Sequence, residues 1–150
     1  MDIILKIIIS NDHAGTVLKN GIIDYLNQNG HEVINIGTNN LDSVDYPDFA
    51  YNVAKRFKNE VIDFGILICG SGIGISIAAN RYNHIRAALC NDIETTKLSR
   101  LHNDANILVL SGRSTDKNLA IDCINTFFNT KFEGGRHINR IKKLSNPPKI

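Results

Sequence analysis

Short, continuous apolar runs alternate with longer amphipathic stretches along this chain. The runs that we predict to be strands are IILKIIIS (3–10), HEVINIG (31–37), DFGILICG (63–70), IRAALCN (85–91) and ANILVLSG (105–112). Apolar runs without polar alternation are typical of parallel strands that are covered on both faces. The repeat of strand and helix therefore predicts an α/β fold, a three-layer α/β/α sandwich with a five-stranded, parallel, Rossmann-like sheet.

The amphipathic stretches predict the helices of that sandwich. They cover residues 14–29, 46–59, 92–102 and 116–130, and a further helix begins at residue 74. In the first stretch, apolar side chains recur at helical spacing and Gly30 follows as a stop signal. These side chains are Val17, Leu18, Ile22, Tyr25 and Leu26. We expect one domain over residues 1–150, with a C-terminal helical tail at about 135–150 whose helix ends before Pro147.

Composition argues against several broad classes of protein. The 150 residues carry a net charge of only +2, which is too small for nucleic acid to be the main partner. No apolar run approaches the roughly 18 residues of a membrane span, and MDIILKIIIS lacks the basic region and cleavage site of a signal peptide. The three cysteines form no CxxC motif, so neither a disulfide framework nor a zinc site is predicted. A reducing, cytoplasmic environment is expected.

Chemically capable residues follow several of the predicted strands. Open parallel sheets bind ligands at the carboxyl ends of their strands, so residues there are expected to meet. These residues are Asp12, His13, Cys69, Ser71, Asp92 and Arg113. His102 instead ends the helix before the fifth strand, and a short loop there would still let it reach the same edge.

The glycine-rich stretch CGSGIG after the third strand has more than one interpretation. A dinucleotide-binding fingerprint needs G-x-G-x-x-G, but Ile75 occupies the place of the third glycine. Asp92 does follow the next strand, where a ribose partner belongs, so a nucleotide-binding module remains an alternative. The Walker pattern fails because no lysine follows the glycines.

Cys69 is the last strand residue before this glycine loop and the helix that follows it. Backbone N–H groups at such a place favour a thiolate, and they also hold a developing oxyanion. Proton abstraction next to a carbonyl needs both elements. The competing interpretation is that Cys69 is a small buried hydrophobe beside a tight turn. Cys90 and Cys123 are predicted to be buried in this way.

Histidine and arginine residues elsewhere complete the candidate site. His13 and His102 suit acid and base roles near neutral pH. Arg136 and Arg140 are four residues apart, so on a helix they share one face, and with Arg113 they could grip a dianionic phosphate. The alternative is that each histidine is a surface or already hydrogen-bonded side chain and that the two tail arginines form a solvated face.

The landmarks of the chain resemble those of the type B ribose-5-phosphate isomerases, in the ribose/galactose isomerase family. They are NDHAG (11–15), DYPDFA (45–50), GILICGSGIGISIAANR (65–81), IRAALCND (85–92), LSRLHNDANIL (98–108), GR (112–113) and EGGRHINR (133–140). The resemblance implies an aldose–ketose isomerase that interconverts ribose-5-phosphate and ribulose-5-phosphate in the pentose phosphate pathway, with no cofactor and no metal. It also implies a homodimer or a tetramer whose active sites are shared between subunits.

The resemblance also implies a role for each matching residue. Cys69 would be the base that moves a proton between C1 and C2, assisted by Ser71, while His102 with Asp12 would open the furanose ring. The remaining implied residues bind substrate: Gly70, Gly72 and Gly74 by their amides, His13, Tyr46 and Asn103 at the sugar, and Arg113, Arg136 and Arg140 at the phosphate. Isomerisation of a six-carbon sugar phosphate, allose-6-phosphate or galactose-6-phosphate, is the alternative within the same family.

Overall fold

The computed structural model describes residues 3–150, and five parallel strands form the centre of this region. They are β1 (Lys6–Asn11), β2 (Glu32–Asn35), β3 (Phe64–Cys69), β4 (Ala87–Leu89) and β5 (Ile107–Ser111). Their order across the sheet is β2-β1-β3-β5-β4, and every adjacent pair is parallel. The predicted α/β class is therefore confirmed.

Helices cover both faces of the sheet. They are α1 (Thr16–Gln28), α2 (Tyr46–Asn59), α3 (Ile73–Ala79), α4 (Ile93–Asn103), α5 (Lys117–Asn129) and α6 (His137–Ser145), and a 3-10 turn at His13–Gly15 precedes α1. Helices α1 and α5 share one buried apolar cluster with the sheet, whereas α2 and α3 share a second cluster on the opposite face. Within residues 3–150, no helix combines the length and the apolar character needed to cross a bilayer.

Side chains of successive residues in the inner strands β1, β3 and β5 belong alternately to these two clusters. Ile7 and Ile9 pack beneath α1 and α5, whereas Ile8 packs beneath α2 and α3. The same alternation puts Cys69, at the end of β3, in the cluster of α2 and α3. Because side chains alternate between faces, a strand buried on both faces must be apolar throughout. This explains the continuous runs from which the strands were predicted.

Val17 is the exception among the apolar side chains assigned to the first helix. It is 75% exposed, whereas Leu18, Ile22 and Leu26 are buried. One residue advances a helix by about 100°, so Val17 lies beside the stripe that the other three form. The prediction that Val17 belongs to the apolar face is therefore wrong.

Lys19 is a charged residue that is completely buried. Its ammonium donates to the carbonyl oxygen of Thr38 and, at 2.7 Å and 3.3 Å, to Oδ1 of Asn39 and Oδ1 of Asn35. Burial lowers the pKa of Lys19. The contacts hold the segment that leaves β2, which leads toward the start of α2 at Tyr46.

Candidate active site

The loops after β1, β3 and β5 meet at one edge of the sheet. The Asp12 amide donates to the Ile68 carbonyl oxygen at 3.1 Å, and the Gly112 amide donates to the Cys69 carbonyl oxygen at 2.8 Å. Strand β1 connects to β2 on one side of the sheet, whereas β3 and the strands after it lie on the other side of β1. A ligand-binding crevice is expected where the strand order reverses in this way, between β1 and β3. Of the strand-end residues singled out in the sequence, Asp12, Cys69 and Arg113 lie on these three joined loops, whereas Asp92 follows the outer strand β4.

Cys69 occupies the centre of this edge and is only 4% exposed. Its Sγ accepts a hydrogen bond from the Gly72 amide at 3.2 Å. The bond requires the loop to turn back on itself, and Gly72 does so with a φ of +78°. A Cβ at this position would lie 2.5 Å from Leu89 Cδ1, so glycine is needed for space as well as for conformation. The Gly72 amide is thus a hydrogen-bond donor held at the Cys69 sulfur.

The other two cysteines have a different environment. Cys90 and Cys123 are completely buried in the cluster beneath α1 and α5, as predicted. Burial raises the pKa of both thiols, so they stay protonated near neutral pH. They are structural residues, and the glycine loop distinguishes Cys69 from them.

The glycine loop leaves only some of its amides for a ligand. The Gly72 amide serves the sulfur, and the Ile73 amide donates to Ser71 Oγ at 3.1 Å. Ser71 is exposed, and its hydroxyl hydrogen remains available for a ligand oxygen. Fewer amides than predicted are therefore available to bind an oxyanion, because the Gly72 amide is hydrogen-bonded to Cys69.

A cleft of about 490 Å³ lies beside this loop, between residues 12–13 and 44–48. Asp12 is buried, and its Oδ1 accepts the Ala14 amide at 3.0 Å. His13 Nδ1 accepts the Val44 amide at 3.2 Å, which leaves Nε2 of a neutral ring as a donor. The ring of Tyr46 lies against Gly74, where a Cβ would come within 2.6 Å of the tyrosine hydroxyl oxygen.

The charges of this cleft bear on what it binds. Asp12, Asp45 and Asp48 all line it, with His13 as the only basic side chain among its lining residues. Three carboxylates repel a dianionic phosphate but accept hydrogen bonds from sugar hydroxyls. The cleft is therefore suited to the hydroxyl-bearing part of a sugar.

Arg113 carries a positive charge at the same edge. Its guanidinium lies over Gly70, where a Cβ would be 3.0 Å from Arg113 Cζ. Ser111, the last residue of β5, donates from Oγ to the Gly70 carbonyl oxygen at 2.7 Å and so fixes the loop beneath the arginine. Ser111 is not among the residues predicted from the sequence, although its position directly before the Gly–Arg pair is a signal.

His102 and Asn103 lie at the opposite edge of the sheet. Helix α4 begins after the carboxyl end of β4 and returns to the amino end of β5. Its 11 residues span about 16 Å. Asn103 lines a cavity with Arg86 and Ala105, which flank the starts of β4 and β5. The short loop before β5 therefore does not bring His102 to Cys69 within one chain, contrary to the expectation.

Arg136 and Arg140 accompany His102 at that opposite edge. The Glu133 amide donates to the Leu101 carbonyl oxygen at 3.1 Å, and the His137 ring stacks on His102 with centroids 4.5 Å apart. Arg136 directly precedes α6 and Arg140 lies in its first turn, and both are exposed. One chain thus carries two groups, which we call half-sites. The first half-site is Asp12, His13, Tyr46, Cys69, Ser71 and Arg113; the second is His102, Asn103, Arg136 and Arg140.

Comparison with known proteins shows which family has this sequence and fold. The Ribose/Galactose Isomerase family model matches residues 7–144. The chain belongs to this family.

Individual members of the family are similar over most of their length. Ribose-5-phosphate isomerase B of Escherichia coli is 41% identical over 140 residues, covering 93% of this chain and 94% of the relative. The crystal structure of a ribose 5-phosphate isomerase from Thermotoga maritima has a TM-score of 0.92 at 50% identity and covers 94% of this chain and 97% of its own. Ribose-5-phosphate isomerase B of Clostridium thermocellum gives 0.91 at 48% identity, with 94% and 95% covered.

Asp92, which favoured a nucleotide-binding module, and Ile75, which breaks the dinucleotide fingerprint, both have structural roles in this family member. Asp92 caps α4, with Oδ1 accepting the Thr95 amide at 2.6 Å and Oδ2 accepting the Thr95 hydroxyl at 3.0 Å. Ile75, in place of the third fingerprint glycine, is completely buried in the core. The carboxylate is thus already engaged, and the close approach that the third glycine permits is absent at Ile75.

Glu133 and His137 are residues of the second half-site region that the sequence analysis did not single out. Both lie in EGGRHINR, where Glu133 is the first residue and His137 lies between the two selected arginines. Together with His102 they place two imidazoles and one carboxylate within reach of a single ion. Nothing in their spacing along the chain predicts this, because His102 is brought to them only by the packing of α4 against α6.

Proposed function

We propose that this protein interconverts ribose-5-phosphate and ribulose-5-phosphate, with Cys69 as the catalytic base. The single observation that carries the proposal is the Cys69 sulfur at the end of β3, accepting the Gly72 amide at 3.2 Å within a glycine loop. An amide donor to sulfur supports a thiolate, and a thiolate is a competent base. The activity of the similar type B isomerases supports the same assignment.

The proton transfer is redox neutral and internal to the substrate. The Cys69 thiolate removes the proton from C2 of the open-chain aldose, and the C1 carbonyl oxygen becomes the enediolate oxygen. Free loop amides and the Ser71 hydroxyl stabilise this charge. The Cys69 thiol then returns the proton to C1, while the hydroxyl proton passes from O2 to O1. Since the substrate supplies both the oxidised and the reduced carbon, the reaction consumes no cofactor.

Ring opening and phosphate binding fall to the second half-site in this proposal. His102 with Asp12 transfers the protons that open the furanose. Arg136 and Arg140 hold the phosphate together with Arg113, because guanidinium groups bind phosphate oxygens in a bidentate manner. His13, Tyr46 and Asn103 orient the sugar hydroxyls.

These roles require two copies of the chain, so we infer a homodimer with shared active sites. In a twofold dimer, the second half-site of each subunit meets the first half-site of the other, which gives two equivalent sites. Exposed apolar side chains near the Cys69 edge support a partner there: Ile73 is 55%, Ile77 49% and Ile93 46% exposed.

We also propose that the enzyme works in the cytoplasm, in the pentose phosphate pathway. All three cysteines are free and buried, which suits a reducing compartment. A base that acts as a thiolate would be lost by oxidation elsewhere.

The test compares ribose-5-phosphate with allose-6-phosphate and galactose-6-phosphate in D₂O. We expect the wild type to convert ribose-5-phosphate and to introduce solvent deuterium at the reacting carbon. Cys69→Ala should lose conversion and exchange, each by at least about a thousandfold, while still binding ribose-5-phosphate in calorimetry. Cys123→Ala is the matched control and should remain active.

Three outcomes would overturn parts of the proposal. Deuterium exchange that persists in Cys69→Ala would remove Cys69 as the base. Faster turnover of a six-carbon substrate would move the enzyme to that branch of the family. Tight binding of NAD without any sugar-phosphate binding would replace the isomerase by a nucleotide-binding module.

A further inference from the structure

His102, Glu133 and His137 form a compact cluster of metal-ligating side chains, which we call the His–Glu–His cluster. Glu133 Oε2 lies 3.8 Å from His102 Nε2 and 3.3 Å from His137 Nε2. All three candidate ligand atoms lie within 4.8 Å of one another. The two imidazole rings are stacked, with an interplanar angle of 17°. A neutral imidazole offers a ring-nitrogen lone pair to a metal ion.

The buried ring nitrogen of His137 is a second, independent observation that points to a ligand at the cluster. Its residue exposure is only 5%. Its Nε2 atom is buried and makes no hydrogen bond, because the carboxylate at 3.3 Å is not aligned for one. Buried polar atoms in proteins are nearly always satisfied, by protein, water or an ion. This nitrogen faces the Glu133 carboxylate without a hydrogen bond.

We propose that the His–Glu–His cluster binds a divalent transition-metal ion, of which Zn²⁺ fits best. Two imidazole nitrogens and one carboxylate oxygen are the three protein ligands of one common type of zinc site with an open fourth position. Zinc bonds of about 2.0–2.2 Å place tetrahedral ligand atoms about 3.3–3.6 Å apart. Two of the three pairs already lie at 3.3 Å and 3.8 Å. Imidazole ligands disfavour Mg²⁺ and Ca²⁺, which prefer oxygen.

The ion would exchange with solvent. The side chains of His102 and Glu133 are 38% and 58% exposed, so the site is closed only on the His137 side. An open site of three ligands takes up and releases its ion more readily than a closed structural site of four. The site is therefore suited to reversible metal binding.

Metal binding has a consequence for activity that rests on the proposed function. The ion would occupy Nε2 of His102, the histidine that we assign to ring opening. A metal-bound imidazole has no free lone pair at that nitrogen and cannot exchange a proton there. Zinc is therefore predicted to inhibit the isomerase reversibly. The binding itself does not depend on that assignment.

The binding test uses intact, untagged protein titrated with Zn²⁺ in calorimetry and with Co²⁺ in visible absorption. We expect one ion per chain and a Co²⁺ d–d band. Glu133→Gln, at an exposed position, should weaken binding by tenfold or more, and so should His137→Gln. His84→Gln is the matched histidine control, and Cys69→Ser excludes a thiolate ligand; both should bind as the wild type does. Absence of binding, or unchanged affinity in a folded Glu133→Gln variant, would overturn the site.

The inhibition test is separate from the binding test. Zn²⁺ should inhibit conversion of ribose-5-phosphate by the wild type, and a chelator should restore it. In Glu133→Gln, the half-inhibitory zinc concentration should rise by tenfold or more. Equal inhibition of the two proteins would overturn the link to His102. If no sugar phosphate is converted at all, the proposed function fails, while the calorimetry and the Co²⁺ band still decide the metal site.

Discussion

Cys69, Cys90 and Cys123 are all buried free thiols, yet their hydrogen bonds differ. Cys69 Sγ accepts an amide hydrogen from Gly72, whereas Cys90 Sγ donates to the Ala88 carbonyl oxygen at 3.6 Å. A thiol that donates must keep its proton, but a sulfur that accepts is stabilised as a thiolate. The direction of one hydrogen bond therefore distinguishes Cys69, the proposed base, from Cys90.

Alkylation with iodoacetamide should reveal this difference. Burial raises the pKa of Cys90 and Cys123, so their thiolates are scarce near neutral pH. We expect one modification per native chain, on Cys69, with isomerase activity lost in parallel and ribose-5-phosphate protecting against both. Peptide mapping by mass spectrometry identifies the labelled residue. Equal labelling of all three cysteines in the native protein would contradict the distinction.

Individual residues differ in how well the sequence predicts them. Asp92 caps α4, and its place at the start of a predicted helix suits this role, because its side chain accepts the Thr95 amide within one turn. Cys123 is correctly expected to be buried. His137 is not predictable in this way, since its burial depends on packing against α4, which is distant in the sequence.

At the scale of the element, strands and helices are predictable because burial on two faces requires continuous apolar runs. Strand β4 is shorter than the predicted run 85–91 and covers only Ala87–Leu89. Side-chain bonds replace the ladder at its start, where Asn106 Oδ1 accepts the Arg86 amide at 2.8 Å. The order of strands is not predictable from these runs, because they report burial and not which strand lies beside which.

The segment after β2 depends on Lys19 of α1 rather than on regular structure. We expect Lys19→Met to lower the free energy of unfolding by about 1–3 kcal/mol at neutral pH, because the Thr38 carbonyl and two asparagine side chains lose their donor. Urea unfolding measures this, with the exposed Lys55→Met as the matched control. Unchanged stability of Lys19→Met would show that the Lys19 hydrogen bonds do not hold the segment after β2.

The same lysine should give the unfolding free energy a pH dependence. Burial lowers the pKa of Lys19 in the folded protein below its ordinary value of 10.5. Between the lowered pKa and 10.5 the unfolded chain binds more protons, so this contribution to stability rises with pH in that window. Lys19→Met should lack this rise when its unfolding is compared with the wild type from pH 7 upward. Parallel curves for the two proteins would contradict the assignment.

In the whole molecule, the sequence predicts candidate site residues, but their distribution over the two ends of the sheet is harder to predict. A helix that connects parallel strands runs back to the amino edge of the sheet, so the end of α4 at His102 must lie away from Cys69. That inference was available from the alternation of strands and helices. The position of α6 was not, because no pattern along the chain indicates that it packs against α4.

We have proposed that two copies of the chain assemble an isomerase site from separate halves. A hybrid of Cys69→Ser and His102→Asn subunits, each with a different affinity tag and isolated by two successive purifications, tests this proposal. Each variant alone should convert ribose-5-phosphate only weakly. The hybrid contains one site with both mutations and one site with neither.

We therefore predict that the hybrid regains about half of the wild-type activity per dimer, since one of two equivalent sites is intact. Size-exclusion chromatography and circular dichroism on both variants control for folding and assembly. A hybrid no more active than the mean of its two parents would contradict the account, because Cys69 and His102 would then not act across the interface.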